Sequence, residues 1–358
     1  MKKNIIFCGG GTGGHIFPAI TTIKYLENYC NITLVTDNRG KKYIKDIKSR
    51  VTILNIVSPR NKNFLLKIFA ICKLFFSFSY LFFFIIKNKV DIIFGFGGYV
   101  SFPLLLAAKI LRKKIYLYEP NLVIGRTNKF FLQSCEKLFT KTNRMIGFPE
   151  KKHIKCIQVG NIIRQEIISH FKTKQKYISE EKTIIILGGS QGARKFGEVV
   201  PESILSIAKK NYKINVIHQV LKDQIEVVKN FYQENDIKYK VFDFHHNISE
   251  FLSLSDLAIS RCGASTIAEL EFMNIPFVAI PYPFATDNHQ YENAVYYESR
   301  GSCLLLNENE LTSLNLTNKL SELLDNIHNK SVIEVKKTKM FYSEEVNGLE
   351  IIKKTILF

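Results

Sequence analysis

The chain lacks paired cysteines. Its seven (Cys8, Cys30, Cys72, Cys135, Cys156, Cys262 and Cys303) are scattered with no common spacing. That pattern excludes a disulfide framework and a cysteine-built zinc site, and it fits reduced thiols in a cytoplasm. An Asp-x-Asp pair is also missing, although paired carboxylates are a common way to hold a nucleotide diphosphate through a divalent metal. Acidic residues number 32 against 50 basic ones, a formal charge of +18. Such an excess suits nucleic acid, anionic membranes or phosphorylated substrates. Lysine is nevertheless spread along the whole chain, so part of the excess is a solvated surface. With no helix-turn-helix, zinc finger or aromatic RNA-binding signature present, no nucleic acid partner is expected. Met1 to Asn4 lead straight into a strand, so no secretory signal is expected either.

A long uncharged apolar run is lacking as well. Phe64 to Ile86 approaches the ~20 residues of a spanning helix, but Lys67 and Lys73 interrupt it and leave only Leu74 to Ile86 uncharged. The run then enters Val90 to Gly95, which reads as a parallel strand closing a βαβ unit. It is a buried crossover helix, a helix dipping one apolar face into a membrane surface, or a span. Arg60, Lys62, Lys67, Lys73, Lys87 and Lys89 around it favour monotopic contact with anionic lipid. Leu66, Phe69, Leu74, Phe75 and Phe76 are the candidate contact residues.

Glycine-rich turns are what the chain does have. Asn4–Cys8 is a β-branched apolar strand that runs into Gly9-Gly10-Gly11-Thr12-Gly13-Gly14-His15 and then an apolar-periodic helix. Thr183–Leu187 runs likewise into Gly188-Gly189-Ser190-Gln191-Gly192-Ala193-Arg194. Glycine permits positive φ and close approach, and a helix N-terminus offers free N–H groups with partial positive charge. Two such turns suggest two anionic ligands, whereas hydride transfer usually needs one.

With 358 residues, 46% hydrophobic and 23% charged, the chain is expected to fold as two globular domains. The first half alternates strands Ile5–Cys8, Ile32–Thr36, Thr52–Ile56, Ile92–Phe94, Ile115–Tyr118 and Lys137–Phe139 with helices. The second repeats the scheme with Thr183–Leu187, Asn215–Gln219, Tyr239–Phe242, Leu257–Ser260 and Phe277–Ile280. This predicts two Rossmann-like, doubly wound parallel sheets binding ligands at the strand carboxyl ends. The expected boundaries are 1–165 for the first domain, completed by a C-terminal helix over 340–358, a linker over 166–182, and 183–339 for the second.

Within that frame His15 either caps its helix or accepts a proton near a bound anion. Gly95 to Pro103 and Tyr118 to Asn128 add two more turns to the first domain's rim, enough to wrap a pyrophosphate with backbone donors. Glu269, one turn into the helix after Ser260-Arg261-Cys262-Gly263-Ala264-Ser265, either accepts ribose hydroxyls or is a capping or surface glutamate. Pro281 to Ala294 packs amide and imidazole groups suited to sugar hydroxyls. Without a metal, charge on a departing diphosphate would be met by helix N-termini and N–H groups.

Gly10 to Ala19, Gly97 to Ser101, Gly160 to Arg164, Gly188 to Arg194, Arg261 to Glu269 and Asp287 to Gln290 match, in order, the motifs of the MurG family. The chain resembles these bacterial N-acetylglucosaminyltransferases of peptidoglycan synthesis from about residue 5 to 295. The resemblance implies a GT-B glycosyltransferase fold, with two Rossmann-like domains facing a cleft, and an inverting, metal-independent, cofactor-free transfer. N-acetylglucosamine would pass from UDP-GlcNAc to the C4 hydroxyl of the muramyl sugar of lipid I (undecaprenyl-pyrophosphoryl-muramyl-pentapeptide), giving lipid II. The work would be done peripherally at the cytoplasmic face of the bacterial cell membrane.

Carried across residue by residue, the donor would be held by Ser190, His245, Ser265, Glu269, His289 and Gln290, with Thr12, Gly13, Gly14, Asn121 and Arg164 beside it. The acceptor would meet Gly11, Thr12, Gly13, Gly14, Gly97, Gly98, Tyr99 and Asn121, with His15 the candidate base. The chain departs from the pattern at Cys262, at His245-His246 and at Tyr118-Glu119-Pro120-Asn121, the last affecting the fine acceptor contacts. Rival readings are a diacylglycerol glycosyltransferase, a non-catalytic binding module on the same fold, and a dinucleotide oxidoreductase using Asp37.

Overall fold

The computed structural model describes residues 2–56, 64–143, 145–148, 155–173, 180–189, 192–329 and 347–358. The chain forms two compact units, Met1–Arg164 with Glu344–Phe358, and Gln165–Ser343.

In the first unit the elements run β1 (Asn4–Cys8), α1 (Gly13–Leu26), β2 (Asn31–Asp37), α2 (Asn38–Lys41), β3 (Arg50–Leu54), α3 (Phe64–Lys87), β4 (Ile92–Gly95), α4 (Phe102–Ile110), β5 (Lys114–Glu119), α5 (Arg126–Phe131), β6 (Lys137–Thr140) and β7 (Lys155–Gln158). The strands form one parallel sheet in the order β3-β2-β1-β4-β5-β6-β7. The order reverses between β1 and β4, whose residues pair in register from Ile5 with Ile92 to Cys8 with Gly95. Crevices at such reversals are where open α/β sheets receive ligands.

Alternation along β1 explains the layers. Ile5 and Phe7 enter a core shared with α1, while Ile6 and Cys8 enter the opposite core with α3 and α4. Phe7, Phe94 and Phe96 interlock in the first core, with ring centroids 5.2 Å and 4.7 Å apart for the Phe7–Phe94 and Phe94–Phe96 pairs. A helix over 347–357 also packs there through Leu349, Ile352 and Ile356. The rest of the expected C-terminal helix, 340–346, lies outside the described residues.

In the second unit α6 (Gln165–Thr173) is followed by β8 (Lys182–Leu187), α7 (Arg194–Ala208), β9 (Ile214–Gln219), α8 (Ile225–Glu234), β10 (Lys238–Phe242), α9 (Ile248–Leu254), β11 (Leu257–Ser260), α10 (Ala264–Phe272), β12 (Phe277–Ala279), α11 (His289–Ser299), β13 (Cys303–Leu305) and α12 (Ser313–Asn329). Its parallel sheet has the order β10-β9-β8-β11-β12-β13 and reverses between β8 and β11.

The structure corrects several expectations. The polar stretch 166–182 is not a bare linker: α6 occupies its first half, with Phe171 packed on Phe272 at 5.0 Å between centroids. Strands β7 and β13, each at one edge of its sheet, were not foreseen; neither carries a run of β-branched residues. The reading of α3 as a buried crossover helix also fails. Ala70, Ser77, Leu81, Phe84 and Ile85 form its only buried stripe, while Phe69, Phe75 and Phe76 are 54%, 63% and 70% exposed. Leu66 is exposed too, but Leu74 turns inward and packs on the core, so it leaves the set of candidate contact residues. By length and composition α3 could cross a membrane, with a mean hydropathy of 2.1 in its most apolar window. Its docked stripe instead holds one side against α4.

Candidate active site

In the first unit, three turns leave neighbouring strands at the carboxyl edge of the sheet. The β1–α1 turn needs glycine at Gly11, where φ is +80° and the neighbouring space is taken by Arg39. Thr12 precedes α1 but its side chain does not cap the helix, which leaves the first-turn N–H groups of Gly13 and Gly14 outside any side-chain cap. His15 follows, half-buried. Its imidazole lies over the β4–α4 turn: Nδ1 and Cε1 are 3.1 Å from where a β-carbon on Gly97 would sit, and Cδ2 is 3.3 Å from the same point on Gly98. Both glycines have positive φ, +85° and +78°. A side chain at either would both strain the backbone and displace the imidazole.

The β5–α5 turn is held by a residue to which sequence reasoning gave no role of its own. Glu119 is 1% exposed and accepts four hydrogen bonds. The donors are the Asn121 backbone N–H (3.1 Å) and Nδ2 (3.0 Å), the Gly125 N–H (2.8 Å) and Asn128 Nδ2 (2.9 Å). Burial pushes its carboxyl up from the usual carboxylate range, and the four donors offset only part of that. Asn121 is thereby committed to its own turn. Asn128 also donates to the Tyr118 carbonyl (3.0 Å), while its fully buried Oδ1 has no partner among the described residues. Asn128 Nδ2 comes within 3.5 Å of the Gly97 β-carbon position, on the same side as His15.

Asp37, at the end of β2, ties the first two turns together. Its Oδ1 accepts from the N–H groups of Gly11 (3.0 Å) and Gly40 (2.9 Å), and its Oδ2 from Arg39 Nε (3.1 Å) and the Tyr99 hydroxyl (3.2 Å). Burial alone would raise its carboxyl, but these donors outweigh burial and hold it below the usual range. With four donors already on it, Asp37 has no capacity left for a ribose diol, which removes the basis for a dinucleotide oxidoreductase. Arg164 stacks over the Phe17 ring at 4.4 Å, on the same unit.

In the second unit the site elements follow β8, β11 and β12. Ser190 lies outside the described residues; its neighbours Gly189 and Gly192 have φ of +79° and +73°. Arg261 is buried beside Phe196 and Tyr282, donates to the Ile280 and Pro281 carbonyls and pairs with Glu308. Gln290 Oε1 accepts from the backbone N–H groups of both Cys262 (3.2 Å) and Tyr282 (3.0 Å), and Asn293 Nδ2 donates to the Cys262 carbonyl (3.3 Å). One amide thus fixes the β11–α10 and β12–α11 turns to each other. The Cys262 thiol is fully buried and pushed far above its ordinary range, so it is inert filling.

Ser265 sits in the first turn of α10, and its buried Oγ has no partner among the described residues. Glu269, on the same helix, is 4% exposed, which removes the surface-glutamate reading. His289 opens α11 after two consecutive left-handed residues, Asp287 and Asn288, and its Nδ1 meets the Thr286 carbonyl at 2.6 Å. That contact orients Nε2 as the remaining ring nitrogen. His245 stacks on Phe251 with centroids 4.2 Å apart. Among the described residues, no cluster of His, Cys, Asp and Glu side chains is gathered to hold a metal ion.

Paired Rossmann-like sheets, each with glycine turns at its reversal point, are the GT-B class of glycosyltransferase fold. Residues 5–140 match the glycosyltransferase family 28 N-terminal domain and residues 183–347 its C-terminal domain. The chain belongs to this family and, within it, to the MurG family.

The UDP-N-acetylglucosamine–N-acetylmuramyl-(pentapeptide) pyrophosphoryl-undecaprenol N-acetylglucosamine transferase of Pelagibacter ubique is 40% identical over 332 residues, covering 91% of this chain and 90% of its own. The enzyme of the same name from the Wolbachia of Brugia malayi is 36% identical, with 90% of each chain covered. Among solved structures, Acinetobacter baumannii MurG superposes with a TM-score of 0.73 at 23% identity over 99% of each chain. The UDP-GlcNAc 2-epimerase of Neisseria meningitidis has the same fold, with a TM-score of 0.63 at 16% identity over all of both chains.

Proposed function

We infer that the protein transfers N-acetylglucosamine from UDP-GlcNAc to the C4 hydroxyl of the muramyl sugar of lipid I, forming lipid II for peptidoglycan synthesis. The observation that carries this is the 40% identity to a transferase of that name over nine-tenths of both chains. The glycine turns at the reversal point of each sheet accompany it.

In this reading the transfer inverts the anomeric carbon and uses no metal. The C4 oxygen attacks the sugar's C1 as the bond from C1 to the UDP oxygen breaks, and the hydroxyl proton passes to His15. Negative charge on the leaving UDP is met by N–H groups at the starts of α7 and α10 and by the Ser265 hydroxyl. Glu269 takes the ribose, and His289 and Gln290 line the sugar, with Gln290 acting in part by holding the two turns. The lack of an Asp-x-Asp pair supports the metal-free step. The Gly11–Gly14 and Gly97–Tyr99 turns receive the acceptor diphosphate, and Asn121 shapes the turn beside them through Glu119. Phe69, Phe75 and Phe76, with Leu66, enter an anionic membrane surface at the cytoplasmic face, where a lipid-tethered acceptor lies.

Purified protein given UDP-GlcNAc and a lipid I analogue is expected to release UDP at an undiminished rate in EDTA. A folded sample that turns over no lipid I analogue, or only diacylglycerol, overturns the assignment. Loss of rate in EDTA overturns the metal-free step alone.

A further inference from the structure

We propose that Arg39 is a further binding residue for the acceptor, its guanidinium taking the diphosphate that joins the muramyl sugar to its lipid. This rests on the reading of the first unit as the acceptor half. A diphosphate held without a metal needs compensating positive charge, and backbone N–H groups provide only partial charges. Arg39 puts a full charge beside them: its Nη2 lies 3.1 Å from the β-carbon position of Gly11, against the flank of the β1–α1 turn.

The side chain is held in place before any ligand arrives. Arg39 Nε donates to Asp37 Oδ2 (3.1 Å) and Nη2 to the Tyr99 hydroxyl (2.8 Å), with the guanidinium carbon 5.3 Å from the Tyr99 ring centroid. The same Asp37 carboxylate holds the Gly11 N–H. A single buried group therefore sets the cation and the turn relative to each other, so little rotamer entropy remains to be lost on binding. Among the described residues two of the five guanidinium donors are used, by these partners, and the other three form a rigid fork of the kind that matches phosphate oxygens.

The nearby carboxylate offsets part of the charge that a ligand would meet, but it is shared with three other donors and only the cation is open to direct contact. Asp37 is 3% exposed with both oxygens facing inward donors, whereas Arg39 is 50% exposed. The face turned to solvent is the cation. The alternative role is a brace that only keeps Gly11 and Tyr99 in register.

The full-length protein separates the two roles. With UDP-GlcNAc saturating and a lipid I analogue varied, Arg39→Gln is expected to raise the acceptor KM on the order of 10- to 100-fold, the effect of losing charge-assisted hydrogen bonds to a diphosphate. The kcat and the KM for UDP-GlcNAc stay within about twofold on this reading, and Arg39→Lys falls between. Calorimetry with inorganic pyrophosphate is expected to show binding to the native protein that weakens by a similar factor in Arg39→Gln. Unchanged acceptor KM and pyrophosphate affinity overturn the proposal. So does a variant in which both KM values, kcat and the melting temperature all worsen together, which is a brace. If no lipid I analogue is turned over, or pyrophosphate competes only with UDP-GlcNAc, the acceptor-half reading fails, and the pyrophosphate titration still decides whether Arg39 holds the anion.

Discussion

The imidazole of His15 occupies the space that a side chain on Gly97 would need, with Nδ1 3.1 Å from that β-carbon position. Two glycine turns with α1, β2, α2, β3, α3 and β4 between them in the chain thus share one ring, and the glycines of the second turn shape the environment of the first turn's histidine.

Gly97→Ala tests this relationship. Its φ of +85° costs an alanine about 1–2 kcal/mol, and the added methyl pushes the imidazole aside. A few degrees' fall in melting temperature is expected. Turnover at saturating substrates should drop by roughly 100-fold or more, the scale of a lost general base, with little change in the KM for UDP-GlcNAc. His15→Ala should match that loss of turnover with a smaller thermal effect. If His15→Ala leaves kcat unchanged, His15 is not the base.

Gln290→Ala removes the acceptor shared by the Cys262 and Tyr282 N–H groups. Two backbone donors lose their partner, at a cost of about 1–3 kcal/mol each where water cannot replace it. The expected readout is a rise of roughly tenfold in the KM for UDP-GlcNAc, with the acceptor KM unchanged. Gln290→Glu keeps an accepting oxygen in place and should preserve the melting temperature, while its negative charge beside the start of α10 keeps the KM for UDP-GlcNAc raised.

His218 gives the second unit a pH-dependent stability. It lies fully buried on β9 with Nδ1 2.9 Å from the Tyr232 hydroxyl, and burial lowers its imidazole to about 3. The unfolded chain takes up a proton near pH 6.5 while the folded one does not. The stabilisation is therefore complete above that value and drains away as pH falls toward 3. Between about pH 7.5 and 5.5 the loss is on the order of 1 kcal/mol. Thermal melts of the native protein should fall over that interval, and those of His218→Leu/Tyr232→Phe, which removes both partners, should fall less. Equal slopes would refute the assignment.

Phe75 and Phe76 contribute little to the folded core and are candidates for lipid contact. Replacing both with serine should leave the melting temperature unchanged or higher. Cosedimentation with vesicles containing anionic lipid should weaken by about tenfold or more, since a buried phenyl ring is worth about 1.5–3 kcal/mol. The same change at Leu74 should destabilise the protein, because that side chain packs on the core. Vesicle binding that ignores the phenylalanine pair would place the membrane contact elsewhere.

The strand-turn-helix units were legible because their signals are local: β-branched runs, glycine where φ must be positive, and apolar period in the helix that follows. Strands β7 and β13, at the sheet edges, carried no β-branched run. Helix α6 was hidden by polar composition, since it buries only a narrow stripe. Glu119, Asn128 and Asp37 were invisible as turn-holders for a different reason. A carboxylate or amide in a sequence does not reveal which N–H groups will surround it.

The amino-acid order alone determined two parallel α/β units, the positions of their glycine turns and the kinship with a transferase family, because each follows from short-range pattern. Tertiary structure decided that Asp37 serves Gly11, Arg39 and Tyr99, that Gln290 joins two turns, and that Leu74 faces inward. Those partners are brought together by crossovers, 26 residues apart for Asp37 and Gly11 and 28 for Gln290 and Cys262. Contacts at that separation depend on how the sheet winds, which no local pattern of residues encodes.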